Sequence, residues 1–467
     1  MRVPARRKAA FGNLSRAISV AAAALAFAGA CQGQLMAGLQ RAALQSDPAV
    51  AGAEAQMRAA EQRLYQAKAA FGPTAGLTVS SNDTRYVEAP ANDLRKFSGK
   101  QASLQVTQPL YRSALFFSVY SAEAQYEQAQ MAVAQTRSEA LVRLVEVCFD
   151  VLKARDTISF VHAQQVAAEE QLAAARRTFT VGKSAVTDVR EAEAKVDTVA
   201  AQLIAAEAEL ELKQQLLVEL VGQPSPELLT RGLAGDLMPP LRSSSVLEWL
   251  ADAWTQSPQL RQAQQALVAA EAEVNKAWQG HAPTADLTYN YTMNSDTGTV
   301  TSVFPRRGDS SQVSVSVNIP LFASGATQSK VKEAVALRDK AQSDVDVARR
   351  AVQTGVRQNF SAALSSIALA QGLETANRSL EVAMRANRRG YEVGMKINSD
   401  VLESQSKLLE ARRDLSRVRY EAWLNFFKLK AFAGKLVPAD VDAFDPLLVA
   451  AETLPLRGRV QPKEAPK

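Results

Sequence analysis

The sequence predicts an internally duplicated chain that combines membrane-length β-strands with long α-helices. The segment Phe179–Val189 returns as Tyr391–Val401, and Val181, Gly182, Asp188 and Val189 recur unchanged 212 positions later. In both halves, strand-like alternation precedes helix-compatible sequence of about 70 residues, on the order of 100 Å of helix. A repeat of this length indicates a duplicated half-protein. We therefore expect a first structural repeat over residues 31–245 and a second over residues 246–437.

The first 30 residues have the order of a secretory signal peptide. Arginine and lysine side chains precede an apolar run from Ile18 to Ala28, and small residues follow it. The mature chain is therefore expected outside the cytoplasm. Losing these cations removes most of the formal net charge of +6, and a nucleic-acid partner is not expected. Cys31 follows the signal directly, and the sequence leaves open whether it is lipidated.

Apart from the signal, the sequence offers strands and not apolar helices for entering a membrane. Four alternating segments of about 8 to 11 residues suit tilted membrane strands. They are Thr74–Asp83, Gln101–Gln108, Thr284–Asn294 and Gln312–Ile319. On the third segment, one face is predicted to hold Leu287, Tyr289, Tyr291 and Met293. The intervening Arg85–Lys100 and Ser295–Ser311 are predicted to be surface loops.

Each strand pair is followed by two predicted helices. The strands are expected to end at Pro109-Leu110-Tyr111 and Pro320-Leu321-Phe322, and the long helices run to Val181 and Val393. After a glycine turn, a second helix has apolar residues at alternating spacings of three and four, which predicts a coiled-coil seam. The first seam is Val189, Ala192, Val196, Val199, Leu203, Ala206, Leu210, Lys213, Leu217 and Leu220. The second is Val401, Ser404, Leu408, Ala411, Leu415, Val418, Ala422, Asn425, Leu429 and Phe432.

The number of strands predicts an oligomer. Four strands cannot close a transmembrane barrel, because the smallest have about eight. An open sheet edge in lipid costs several kcal/mol for each unpaired backbone group. Two chains would supply eight strands and three would supply twelve, and strand counting alone allows either.

The chain resembles the TolC family of outer-membrane export ducts. The resemblance rests on the duplicated Val-Gly-x5-Asp-Val motif at Val181–Val189 and Val393–Val401, and on the Pro-Leu-aromatic strand ends at Pro109 and Pro320. It covers nearly all of the mature sequence. It implies a homotrimer with a 12-stranded outer-membrane β-barrel, four strands per chain, continued by a long periplasmic α-helical coiled-coil barrel. The implied partners are a periplasmic adaptor (membrane fusion) protein, an inner-membrane ABC or other transporter, and outer-membrane lipid.

The resemblance also implies a gate at the periplasmic end of the tunnel. Asp188 on one helical hairpin would form a latch with Tyr391 and Lys396 on the other. Lys396 stands where the family often has arginine, which keeps the charge but loses bidentate pairing. Asp400 and Glu403 would form a constriction ring, because their spacing places both on one helix face.

The hairpin tips contain a glycine and an acid at equivalent positions. Gly182 and Gly394 are expected to form the hairpin turns, where the adaptor would dock. Asp188 and Asp400 follow these turns, and an acid in a first helical turn is also favoured by the helix dipole. The gating role and this helix-capping role both remain open.

The sequence does not predict an enzyme, a cofactor or a metal site. Gly182-Lys183-Ser184 lacks the earlier glycine of a phosphate-binding loop, and the two histidines, His162 and His281, cannot supply a metal or triad site. We expect a passive export duct that conducts a type I secreted protein, as in secretion members such as exporters of an adenylate cyclase-haemolysin toxin. A small-molecule efflux duct and a structural coiled-coil outer-membrane protein are the alternatives. Residues 438–467 are expected to be a partly disordered C-terminal tail.

Overall fold

The computed structural model describes residues 35–88, 93–182, 185–233, 237–241, 245–299 and 304–450. The expected signal peptide, Cys31 and residues 451–467 of the expected tail lie outside the described residues. The chain forms two compact units. One comprises Met1–Gly52, Ala134–Ser257 and Ala351–Lys467, and the other comprises Ala53–Val133 and Pro258–Arg350.

The order of elements is the same in both halves of the chain. Each half has two shorter helices, an antiparallel strand pair, a very long helix and a helix of 35 or 36 residues. The first half contains α1 (Leu35–Ser46), α2 (Pro48–Ala69), β1 (Thr74–Glu88), β2 (Asp93–Tyr111), α3 (Ser113–Thr180) and α4 (Val186–Val221). A short strand, β3 (Arg231–Leu233), follows. The second half contains α5 (Val246–Gln256), α6 (Pro258–Trp278), β4 (Thr284–Asp296), β5 (Arg306–Asn318), α7 (Ala326–Glu392) and α8 (Asn398–Phe432).

Proline and glycine residues set several of these boundaries. Pro48 and Pro258 begin α2 and α6, at the helix position where a missing N–H costs nothing. Gly434 follows α8 with φ of 71°, in the left-handed region. A Cβ at Gly434 would lie 2.3 Å from the carbonyl oxygen of Gln256, so only glycine fits there. In the described part of the chain, every helix is too short or too polar to cross a membrane.

The four long strands form one antiparallel sheet in the order β1-β2-β4-β5. The alternating segments are confirmed as strands, but two of our boundary predictions were wrong. Most of Arg85–Lys100 and part of Ser295–Ser311 are strand and not loop, because antiparallel pairing continues past the point where hydrophobic alternation ends. The ladder extends to the pair Glu88 and Asp93 in the first hairpin and to Asp296 and Arg306 in the second.

Of the two strand ends that lead into the long helices, one agrees with the prediction and one differs from it. β2 ends at Tyr111, within the predicted Pro109-Leu110-Tyr111 end, and has a register shift between Pro109 and Tyr111. Proline has no N–H to donate to the ladder, so an irregularity at this point is expected. β5 ends at Asn318, one residue before the predicted Ile319.

Both predicted coiled-coil seams are largely buried in the helical unit. The described seam includes the buried Val189, Ala192, Val199, Leu203, Leu217, Val401, Leu408, Val418, Ala422 and Leu429. The polar residue at the same rung of each seam bonds to the neighbouring long helix. Lys213 Nζ lies 3.0 Å from Asp150 Oδ2, and Asn425 Nδ2 donates to Ser366 Oγ at 3.4 Å. Burial alone would raise the pKa of Asp150, but Lys153 and Lys213 outweigh it and lower that pKa.

The segment after α8 is folded as far as residue 450, so this part of the expected tail is ordered. It contains α9 (Pro438–Asp442) and β6 (Leu448–Ala450), which pairs with β3. Phe444 is 2% exposed and lies 5.1 Å from both Phe149 and Trp423 between ring centroids. The buried Asp445 carboxylate accepts a hydrogen bond from the N–H of Met36 at 3.2 Å. The segment therefore ties the first described helix to the aromatic core.

Candidate functional site

One face of the four-stranded sheet is apolar. The register aligns its side chains in rows that run across all four strands. Three of these rows are Ala75-Val106-Tyr289-Val313, Leu77-Leu104-Tyr291-Ser311 and Val79-Ala102-Met293-Asp309. Many are exposed in the chain, with Val79 at 74% and Val313 at 69%. An exposed apolar sheet face of this extent indicates contact with lipid or protein.

The opposite face of the same sheet is polar throughout its central rows. These rows are Thr74-Thr107-Thr288-Ser314, Gly76-Gln105-Asn290-Gln312, Thr78-Ser103-Thr292-Ser310 and Ser80-Gln101-Asn294-Gly308. The side chains are neutral hydrogen-bonding groups. Such an alternation, apolar on one face and polar on the other, is typical of strands that separate lipid from water. In the described part of the chain, β1 and β5 are the edges of the sheet and have one strand neighbour each.

The two predicted glycine turns connect the helices of two hairpins, α3 with α4 and α7 with α8. Gly182 has φ of 71° and Gly394 has φ of 80°, which are left-handed values that favour glycine. The N–H of Gly182 donates to the carbonyl of Phe179 at 2.9 Å, and that of Gly394 donates to Tyr391 at 3.0 Å. The duplicated motif is therefore a duplicated hairpin turn.

Asp188 and Asp400 occupy equivalent positions in the first turn of α4 and α8. Each is the third residue after the non-helical residue that precedes its helix, Ala185 or Ile397. A carboxylate here lies close to the unpaired N–H groups and the positive end of the helix dipole. The predicted first-turn location is confirmed, and it is compatible with capping and with gating.

Ion pairs within the second hairpin involve the other charged residues of the predicted gate, Lys396, Asp400 and Glu403. Lys396 Nζ lies 3.1 Å from Asp400 Oδ2, and Lys407 Nζ lies 2.6 Å from Glu403 Oε1. Glu403 raises the pKa of Lys407 by accepting its hydrogen bond. Each pair joins residues four positions apart, so each connects neighbouring turns of the chain and not the two hairpins.

The residues of the predicted latch are not bonded to one another in the single chain. Among the described residues, no hydrogen bond or ion pair connects Asp188 with Tyr391 or Lys396. The latch and the constriction ring therefore stay predictions.

The structure contains an ion pair between the two helices of the first hairpin, which was not predicted from the sequence. Arg176 Nη2 near the end of α3 lies 2.9 Å from Glu193 Oε1 in α4. Arg190 Nη1 lies 2.8 Å from the other oxygen of Glu193. The hydrogen bond from Arg176 is the main cause that lowers the pKa of Glu193, and the hydrogen bond from Arg190 lowers it further. The signal in the sequence was an arginine six residues before Gly182 and a glutamate eleven residues after it.

A second missed contact connects the two hairpins. Ser406 Oγ in α8 accepts a hydrogen bond from Gln164 Nε2 in α3 at 2.9 Å and lies 3.4 Å from Lys195 Nζ in α4. Ser406 also donates to Glu410 at 3.0 Å. Isolated polar contacts such as that of Gln164 with Ser406 give no periodic signal in a sequence. Within the described residues there is no group of histidine, cysteine and acidic side chains that could hold a metal ion.

The two-faced sheet and the duplicated helical hairpins together define a class, the channel proteins of the bacterial outer membrane. The chain belongs to the outer membrane efflux protein family, whose model matches residues 39–223 and again 249–435. The double match agrees with the repeated order of elements. The family comprises channel proteins of the outer membrane and periplasm, and this chain is an outer-membrane efflux or secretion channel of the TolC type.

Individual relatives cover most of the chain. It is 30% identical to the outer membrane protein TolC of Vibrio cholerae over 87% of its own length and 92% of that protein. It is 27% identical to the proteases secretion protein PrtF of Dickeya chrysanthemi over 74% of this chain and 75% of that one. Among solved structures, the outer membrane protein VceC of Vibrio cholerae matches with a TM-score of 0.70 at 18% identity, covering 85% of this chain and 96% of VceC.

Proposed function

We propose that three copies of this chain form a passive duct through the outer membrane and periplasm. The observation that supports this most directly is the four-stranded sheet with one apolar face, one polar face and an edge strand on each side. Pairing β5 of one copy with β1 of the next would satisfy both edges. The apolar faces would then meet lipid, and the polar faces would enclose the passage.

The chemistry of the polar face favours three copies over two. Two copies would supply eight strands, and a barrel of that size is filled by its own side chains. The central rows of the polar face consist of threonine, serine, glutamine, asparagine and glycine. These residues suit a water-filled lumen, which twelve strands have room to enclose. The long helices α3 and α7, of 68 and 67 residues, would continue the passage through the periplasm.

The gate of the duct would lie at the tips of the helical hairpins. Asp188 would bond to Tyr391 and Lys396 when the copies assemble, and threefold symmetry would convert Asp400 and Glu403 into two rings of carboxylates. Such rings favour cations over anions. The present partners, Lys396 for Asp400 and Lys407 for Glu403, are exposed pairs that exchange readily with water or with other partners.

The cargo we propose is a protein exported by a type I secretion system. The chain would dock at its tips, near Gly182 and Gly394, to a periplasmic adaptor and through it to an inner-membrane ABC or other transporter. Similarity to a proteases secretion protein supports this branch. The family description itself, an outer membrane efflux protein, supports the second candidate, a duct for small molecules. A deletion strain that loses drug resistance but still exports all its proteins would favour the second candidate.

The test of the duct itself is the mass and the conductance of one preparation. The mature protein is purified in detergent, its mass is measured by light scattering, and the same sample is added to a planar bilayer. A mass of three chains with discrete conductance steps is expected. A monomer or dimer that does not conduct would contradict the duct and favour the structural coiled-coil alternative.

A further inference from the structure

The apolar face of the sheet changes to a basic surface towards the β1–β2 and β4–β5 turns. The next row of this face beyond Val79-Ala102-Met293-Asp309 is Ser81-Lys100-Ser295-Arg307. Two rows further on, Arg85 lies directly opposite Lys96. The helices attach to the other ends of all four strands. These cations therefore lie at the end of the apolar face that is farthest along the strands from the helices.

The charges of this basic surface are not balanced within it. Like charges directly opposite each other in a sheet are destabilising. Among the described residues, Arg85, Lys96, Lys100 and Arg307 form no ion pair. Two acids share the face, Asp83 and Asp309. Asp309 accepts a hydrogen bond from the hydroxyl of Tyr291 at 3.1 Å.

A depression in this face combines charge with apolar surface. It has a volume of about 510 Å3, and its lining includes the cations Lys100 and Arg307, the acid Asp309, and the apolar Val79, Ala102 and Met293. The two cations are separated by one intervening strand, a distance of about 10 Å. Because two cations face one acid beside an apolar floor, the depression favours a ligand that is anionic at one end and apolar at the other. A lipid with a phosphate headgroup has this chemistry, and it meets the sheet where the apolar face ends.

We propose that Arg85, Lys96, Lys100 and Arg307 form a binding surface for the phosphate headgroups of lipids in the outer leaflet. The inference rests on the proposed function, in which the apolar face meets lipid and the helices extend into the periplasm, so that the strand turns at the opposite ends lie on the exterior side. The phosphates would separate the like charges of Arg85 and Lys96 and occupy the depression between Lys100 and Arg307. The acyl chains would lie along the apolar rows below.

The neighbouring residues offer a matched control. Arg95 and Arg306 are adjacent in sequence to Lys96 and Arg307 but belong to the polar face, because side chains alternate along a strand. The variants Lys96→Gln/Arg307→Gln and Arg95→Gln/Arg306→Gln lose the same two charges on the same two strands. A third variant, Lys96→Arg/Arg307→Lys, keeps both charges and controls for folding.

The experiment is native mass spectrometry of the full mature protein, solubilised in detergent and mixed with equal amounts of phosphatidic acid and phosphatidylcholine. Wild type is expected to retain phosphatidic acid preferentially. Lys96→Gln/Arg307→Gln is expected to lower this preference at least about tenfold, because each cation changes binding to anionic lipid by about fivefold. The polar-face variant and the charge-keeping variant are expected to behave as wild type.

Three results would overturn the lipid surface. They are an unchanged preference in Lys96→Gln/Arg307→Gln, an equal loss in the polar-face variant, and displacement of phosphatidic acid by millimolar inorganic phosphate. The last result would identify a site for free phosphate. The same preparations are tested for conductance. Trimers that conduct but show no preference would contradict only the lipid surface, whereas loss of the trimer and of conductance would contradict the proposed duct.

Discussion

The two helical hairpins share their lengths and turn geometry but differ in how their tips are held together. In the α3–α4 hairpin, the seam nearest the turn consists of Ala175, Val189 and Ala192, all buried and packed with Leu172. The equivalent seam positions in the α7–α8 hairpin, 212 residues later, are Asn387, Val401 and Ser404. Apolar packing therefore stabilises the first tip, whereas two of three positions are polar in the second.

The ion pairs show the same difference. Arg176 and Glu193 join the two helices of the first hairpin close to its turn. In the second hairpin, the pairs near the turn join residues four positions apart. The cross-helix pair between Arg412 and Glu381 lies about four helical turns from the glycine, and its 3.8 Å distance is longer.

This difference indicates which hairpin can move. Segments that open in function come from the less stable parts of a structure. The second tip has the weaker seam and lacks a close cross-helix pair among the described residues. It also contains the predicted constriction residues, Asp400 and Glu403. We therefore expect the second hairpin to open against a fixed first hairpin.

The largest effect is expected from releasing the predicted contact between the hairpins. Asp188→Ala with Tyr391→Phe should raise single-channel conductance severalfold, because the second tip loses its link to the first. Planar-bilayer recording measures this. The control is Asp197→Ala, which removes an exposed acid of α4 that lies farther from the hairpin turn than Asp188. This variant should leave conductance unchanged. Equal conductance in the double variant and wild type would reduce Asp188 to a helix-capping residue.

The next effect comes from exchanging the seam residues. Ala175→Asn would bury an amide at a position that is 1% exposed, at a cost of about 1–3 kcal/mol. Hydrogen exchange near the first turn should become at least about fivefold faster, and the first tip should then resemble the second. The reverse change, Asn387→Ala, should slow exchange near the second turn. The comparison fails if the second tip already exchanges more slowly than the first in wild type.

The smallest effect is expected from the ion pair in the first hairpin. Glu193→Gln should speed exchange near Gly182 about twofold, because exposed pairs contribute little. Arg378→Gln removes a local pair with Glu374 within α7 and should not alter the first tip.

The same pair predicts a pH dependence with a defined sign. The pKa of Glu193 is lowered in the folded hairpin, so its stabilising effect is present above the ordinary glutamate pKa. It is lost as pH falls below about 4. Exchange protection near Gly182, corrected for intrinsic rates, should decrease over this range in wild type and not in Glu193→Gln. A decrease of the same size in both proteins would exclude Glu193 as the titrating group.

Periodic features of the fold were predictable from the sequence, and contacts between distant residues were not. The hairpin turns at Gly182 and Gly394 and the alternating faces followed from local chemistry and spacing. The extra strand length beyond Asp83 was not predictable, because backbone pairing and not side-chain pattern maintains it.

The candidate gate shows the same limit. The first-turn location of Asp188 and Asp400 followed from the motif. The pairing of Arg176 with Glu193 depends on how two helices face each other, which the heptad register alone does not specify. Tertiary packing also explains why residues 438–450 are folded in a segment with little periodicity, since Phe444 completes an aromatic cluster formed by α3 and α8.

We propose that the chain forms a conducting trimer whose constriction lies at the second hairpin tip. The most direct test is the ion selectivity of single channels formed by wild type and Asp400→Ala in a planar bilayer with a salt gradient. We predict a cation preference in wild type that is largely lost in Asp400→Ala, with the trimer intact. An intact trimer that conducts with the same cation preference in both proteins would place the constriction elsewhere and contradict this account.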